Sequence, residues 1–264
     1  MKMSIDKHSF HLVDQSPWPL IMSLSVFSLI VNFFLWMSTG QSIIMIFISF
    51  LSFISILYQW MRDIIRESTF QGNHSKEVCS GLYVGILMFI ISEVMFFFSF
   101  FFSFFFLALN PDIEVGSKWP PCGIEPLEYF MIPLLNTILL LSSGISITWS
   151  HHSIIASNHN QAIISLLVTI LLGITFVFYQ YEEYVESSFS FADSVYGSIF
   201  FISTGFHGIH VMVGIGMILI SLKRVISHHF SNSHHLGFEV ASWYWHFVDV
   251  VWLFLFISIY WWGS

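Results

Sequence analysis

The chain has 264 residues, of which 56% are hydrophobic, 19% aromatic and only 9% charged, with a mean hydropathy of +0.77. A water-soluble domain carries about 25% charged residues, so this composition excludes one and points to a polytopic membrane protein whose apolar surface faces acyl chains. The formal charge of −8 implies nothing about nucleic acid, because where the few charges sit matters more than their sum.

The opening stretch MKMSIDKHSFHLVDQSP (1–17) has neither an apolar h-region nor an Arg-rich amphipathic pattern, so no cleavable signal or transit peptide is expected. Nothing charged lies between Asp14 and Arg62. That gap holds two spans at about 20 residues each, 17–37 and 43–61, with the polar STGQS (38–42) as the turn between them. RDIIRESTFQGNHSKE (62–77) reads as a loop. A third span, 78–109, contains Glu93 as its one charge and closes at Asn110-Pro111.

The segment PDIEVGSKWPPCGIEPLEY (111–129), rich in Pro, Gly and acid, is an aqueous loop. Two more spans, 131–150 and 161–181, flank SHHSIIASNHNQ (150–161). YEEYVESSFSFAD (181–193) reads as an acidic loop. A sixth span, 194–222, ends at Lys223-Arg224, and ISHHFSNSHHLGFE (226–239) leads into the seventh, 240–262. The expected fold is all-α, a single membrane domain over 1–264 with seven transmembrane helices. Trp18, Trp60, Trp119, Trp261 and Trp262 are candidate interfacial anchors.

Seven spans put the N-terminus and the loops after helices two, four and six on one side. That side holds Lys2, Lys7, Arg62, Arg66, Lys76, Lys223 and Arg224. The other holds Lys118 with Asp112, Glu114, Glu125, Glu128, Glu182, Glu183, Glu186 and Asp193. The asymmetry follows the positive-inside rule, with the N-terminus inside and the C-terminus outside.

Only Cys79 and Cys122 occur, without a CxxC, which excludes a disulfide scaffold and a cysteine-ligated zinc or iron–sulfur centre. Glu93 and Asp249 remain as intramembrane acids, each costly in hydrocarbon and so a functional candidate. Glu93 admits a structural reading, a neutral carboxyl in the bundle interior, and a proton-linked one. His246 and Asp249 stand three apart on one helix face, either as an interhelical hydrogen bond pinning helix seven or as a proton relay. His207 and His210 repeat that spacing on helix six. There Gly205, Gly208, Gly214 and Gly216 would admit another helix closely, as would Ser99 and Ser103 on helix three.

The doublets His151-His152, His228-His229 and His234-His235 fall near the inner interface. They read as headgroup contacts or loop hydrogen bonds rather than metal ligands. His207, His210 and His246 could in principle ligate a bis-histidine haem, which makes a b-type cytochrome one alternative. An ion or proton transporter centred on Glu93 and Asp249 is another. The residues alone name no function.

Several stretches closely resemble cytochrome c oxidase subunit III: HSFHLVDQSPWPL (8–20), RDIIRESTFQGNHS (62–75), ISEVMFFFSFF (91–101) and WPPCGIEPL (119–127). So do IPLLNTILLLSSGISITWSHHS (132–153), DSVYGSIFFISTGFHGIHVMVG (193–214) and HHLGFEVASWYWHFVDVVWLFLFISIYWWGS (234–264). The resemblance implies seven helices, two N-terminal ones splayed from a five-helix bundle, with a V-shaped cleft holding structural phospholipids. It implies a core subunit of respiratory complex IV with no catalytic residues, metal or redox cofactor of its own. Haem and copper would belong to subunits I and II, its expected partners with accessory oxidase subunits, phospholipids and other respiratory complexes.

Its implied role is to support assembly, stability and proton uptake of the catalytic subunit, in a complex that reduces oxygen to water and pumps protons. The resemblance also raises an oxygen route through the cleft. It places the chain in the mitochondrial inner membrane, N-terminus in the matrix and C-terminus in the intermembrane space, with a bacterial plasma membrane as the alternative. Glu93 matches the family's membrane-buried glutamate; Arg66, Glu67 and His74 match its inner-side loop, and Arg224 a basic residue at the cleft edge. All four suit lipid headgroups. His207, His210, His246 and Asp249 fit the family's motifs, favouring hydrogen bonding over haem ligation. Met61, Phe102 and Phe106 depart from residues common in the family, which puts acyl-chain contact ahead of the same headgroup contact.

Overall fold

The computed structural model describes residues 10–40, 42–113 and 116–264. Lys2, Lys7 and Glu114, three of the charges used above for orientation, lie outside the described residues. Those residues form seven helices long and apolar enough to cross a membrane, and no strands. They are α1 (Trp18–Thr39), α2 (Ile43–Thr69), α3 (Lys76–Leu109), α4 (Ile132–Ile155), α5 (His159–Glu186), α6 (Val195–Ile226) and α7 (Leu236–Leu255). Helix α7 runs on as a π-helical segment, Phe256–Trp262. The packing divides the chain into two units, Met1–Leu82 and Tyr83–Ser264.

In the first unit α1 and α2 form an antiparallel hairpin. Helix α1 ends at Gly40, whose φ of 66° is left-handed and whose N–H returns to the Trp36 carbonyl, a conformation that glycine adopts without a Cβ penalty. Ser42 then caps α2 by accepting from the Ile44 N–H. With no water in hydrocarbon, polar side chains on the two helices find each other. Asn32 Nδ2 donates to Ser49 Oγ at 2.6 Å, and Trp18 Nε1 donates to Asp63 Oδ2 at 2.8 Å. Asn32→Leu is expected to weaken this pairing by about 0.6 kcal/mol, an average interhelical bond in a membrane. Unfolding titrations in detergent measure it, and an unchanged midpoint contradicts it.

The segment expected as a loop over 62–77 is helical as far as Thr69 and resumes at Lys76. Arg62, Asp63, Arg66 and Glu67 break no helix, since none removes an N–H or disfavours helical backbone strongly. The turn falls instead at Gly72, whose φ is 69°. Charge marks the end of hydrocarbon, not the end of a helix.

The second unit is built around α7, where 56% of the apolar window is buried against 6% for α3. Helix α4 shows why it packs closely. Its buried positions, Asn136, Thr137, Leu140, Ser143, Ser146, Ile147, Ser150 and Ser153, recur every three or four residues and are mostly small, which lets neighbouring backbones approach. Ser146 and Thr169 hydroxyls meet at 2.7 Å between α4 and α5, and Tyr184 donates to Thr204 at 2.7 Å between α5 and α6.

Helix α5 also outruns its expected end and carries Glu183 inward. That residue is 2% exposed and lies beside Tyr260, so its assignment to an aqueous acidic loop is corrected. The 181–193 segment is acidic on average, but the helix buries Glu183, leaves Glu182 half-buried and exposes Glu186 at its last position.

Candidate functional site

Helix α7 supplies the large side chains that organise the second unit. Trp245 is fully buried and donates from Nε1 to Ser143 Oγ on α4 at 2.9 Å. Its ring lies against two glycines. A Cβ added at Gly173 on α5 would come within 2.8 Å of it, and one at Gly214 on α6 within 2.7 Å. About two helical turns further on, Trp252 donates to Thr137 on α4 at 3.0 Å. Of the small residues expected to admit a neighbour on helix six, Gly214 does so. Gly208 and Gly216 face open space, while Gly205 has only the Tyr184 hydroxyl at 4.0 Å. Ser99 and Ser103 are exposed and bond back to their own helix, so the close approach expected there is corrected.

The two helix-six histidines divide between neighbours. His207, 1% exposed, makes an Nε2 contact of 3.2 Å with the Val248 carbonyl of α7, which can only accept. His210 places Nε2 2.9 Å from Glu93 Oε2 on α3, while its Nδ1 donates to its own helix at the Phe206 carbonyl, 2.6 Å away. Aromatic rings enclose that pair: His210 stacks near Phe96 and Tyr244 and meets Phe97 edge-on. Helix α6 therefore ties α3 and α7 to itself by two polar contacts three residues apart.

His246 and Asp249 do something different from the interhelical hydrogen bond expected of them. Their closest approach, 3.9 Å between Nδ1 and Oδ2 within the one helix, is beyond hydrogen-bond reach. Both line a groove of about 520 Å³ between α4 and α7, with Gly144, Thr148 and Trp149. Asp249 packs against Gly144, where a Cβ would sit 2.7 Å from its Oδ2. The polar pins of α7 are instead Trp245, Trp252 and the Val248 carbonyl. A tryptophan reads as bulk in an apolar run, and the donors show only once Ser143 and Thr137 are known to face it.

The residues expected at headgroup level sit at helix ends. In the first unit Asp63 gathers Arg62 at 3.0 Å and Arg66 at 4.0 Å, leaving Arg66 more than half exposed. The Glu67 carbonyl receives the Asn73 N–H at 3.2 Å, and the His11 and His74 rings lie 6.1 Å apart. In the second unit Arg224 lies over the Phe230 ring at 4.3 Å. Among the described residues no carboxylate pairs with it, and its Nε is buried without a hydrogen-bond partner. Burial first, and then the Arg224 charge, hold the nearby His229 below the ordinary histidine range. Phe102 and Phe106 stack with ring centroids 6.3 Å apart and are exposed.

Seven apolar helices, aromatic packing around α7 and interhelical polar contacts define a polytopic α-helical membrane protein. The sequence model of Cytochrome c oxidase subunit III matches residues 8–264, and the chain belongs to that family. It is 54% identical over 262 residues to cytochrome c oxidase subunit 3 of Paracentrotus lividus, covering 99% of this chain and 100% of the relative. The Aedes aegypti protein of that name is 53% identical over 257 residues, 97% of this chain and 98% of the relative. The Prototheca wickerhamii one is 52% identical over 260 residues, 98% and 99%. Membership makes the chain a subunit of an oxidase complex, with other oxidase subunits as partners.

Proposed function

We propose that this chain is a non-redox core subunit of cytochrome c oxidase in the mitochondrial inner membrane, N-terminus in the matrix and C-terminus in the intermembrane space. It supports assembly, stability and proton uptake of the catalytic subunit and binds structural phospholipid. The haem and copper reside on subunits I and II, and the complex reduces oxygen to water while pumping protons. The observation that carries the reading is the commitment of the helix-six histidines to protein partners, within a chain of this family. His210 uses both ring nitrogens, on Glu93 and Phe206, and His207 uses Nε2 on Val248. Nitrogens engaged in this way act as structural ties, which supports a reading with the haem on other chains.

Lipid binding rests on Arg224 and Arg66, guanidinium groups that match phosphate geometry at headgroup level; Glu67 and His74 join Arg66 in its unit. The exposed Phe102 and Phe106 suit acyl chains. Oxidase prepared with and without this chain, reconstituted in phospholipid vesicles, tests the proposal. The depleted enzyme is expected to take up protons more slowly and to lose activity sooner during turnover. Indistinguishable enzymes, or a stoichiometric haem band on this chain itself, would overturn it.

A further inference from the structure

The structure assigns a divalent transition-metal site, of a kind suited to zinc, to His151, His235 and Glu239 at one end of the second unit. His151 lies in the last turns of α4, His235 immediately precedes α7, and Glu239 is in the first turn of α7. One ligand atom from each lies within 4.8 Å of the other two. His235 Nε2 is 2.9 Å and His151 Nε2 3.9 Å from the same carboxylate oxygen, Glu239 Oε1. Zinc bonds of about 2.0–2.1 Å in a tetrahedron separate ligand atoms by about 3.3 Å. The observed pair of distances brackets that value, so small side-chain shifts would close the site.

The tautomer of His235 gives the arrangement its meaning. Its Nδ1 lies 3.0 Å from the Ser231 carbonyl, which only accepts, so Nδ1 carries a proton. Its Nε2 is buried and makes no hydrogen bond despite the carboxylate oxygen beside it. A neutral imidazole in this tautomer turns a lone pair toward the lone pairs of Oε1, and a cation between them turns that opposition into attraction. The supporting contacts are those that metal ligands characteristically make: a ligating histidine donates its other N–H to a carbonyl, and a ligating carboxylate is itself hydrogen-bonded. Here the Tyr83 hydroxyl, on α3, donates to the other oxygen of Glu239.

Access is graded. The His235 side chain is 6% exposed, whereas those of Glu239 and His151 are 20% and 34% exposed. An ion would enter past His151 and keep a water in its fourth position. Two imidazoles and one carboxylate form a donor set that zinc accepts readily, and its occupation would fasten the end of α4 to the start of α7. The doublets containing His151 and His235 thus split, each lending one ring to the site.

The test uses the detergent-purified complex containing the full chain, stripped with EDTA and titrated with ZnCl2 by equilibrium dialysis. One tight zinc equivalent is expected in the unaltered complex and absent from His235→Gln and Glu239→Gln. Tyr83→Phe, which removes only the outer hydrogen bond, is expected to weaken zinc binding about 10–100-fold. Equal zinc binding in the unaltered and His235→Gln complexes overturns the assignment, as does failure of the unaltered complex to bind the equivalent. Should the ligand variants not assemble, zinc-edge absorption of the unaltered complex decides. Two imidazole scatterers support the site, and a shell without histidine rejects it.

Discussion

Trp245→Ala is expected to destabilise the second unit by about 3–5 kcal/mol, the usual cost of emptying a buried aromatic position, and to leave little assembled oxidase. The side chain fills the space between Gly173 and Gly214 and hydrogen-bonds Ser143. Removing it therefore opens contacts from α7 to three helices at once. Two companion substitutions separate the contributions. Trp245→Phe keeps most of the ring but removes the Nε1 donor to Ser143, whose hydroxyl still bonds the Leu140 carbonyl, for a cost of about 1 kcal/mol. Gly214→Val inserts volume where a Cβ already collides and is expected to cost about 1–3 kcal/mol through overpacking. Native-gel yield of the complex and its thermal inactivation midpoint give the ranking. Normal assembly of Trp245→Ala would show that α7 is held by something else.

Breaking the Glu93–His210 contact comes second. Glu93→Ala or His210→Ala alone is expected to cost about 1.5–3 kcal/mol, the range for hydrogen bonds to charged groups. The double substitution should cost less than the two together, since each single one leaves a polar group facing apolar rings. Glu93→Gln retains hydrogen-bonding capacity toward His210 and is expected to leave turnover and proton pumping nearly unchanged. A double-mutant cycle on thermal inactivation measures the coupling. If Glu93→Gln instead causes a large loss of sustained turnover with assembly intact, Glu93 is proton-linked and the purely structural role fails.

How far the sequence alone reaches depends on which physical signal a residue carries. Apolar length and charge-free gaps survive averaging, so all seven helices and the exposure of Glu93 as an odd residue were legible. Helix ends were less so: charge density stood in for helix termination, which shortened α2 and α5 and left Glu183 in water. Partner choice was least legible. His246–Asp249 and His207–His210 share one spacing, yet the first pair lies 3.9 Å apart within its helix and the second reaches two other helices. A spacing states which residues share a face, and only the neighbouring helix decides what that face meets. The metal candidate was missed for the same reason, since His151 and Glu239 are far apart in sequence and meet only through the packing of α4 on α7.

The contacts along α6 also limit how that helix can move. At 3.6 residues per turn, His207 and Gly214 point within about 20° of each other, and His210 points about 60° away. The first two directions are filled by α7 and the third by α3. Turning α6 about its own axis in either direction would therefore break a hydrogen bond or drive Gly214 off the Trp245 ring. A helix fixed at two azimuths moves only as one body with the α3 and α7 segments it touches.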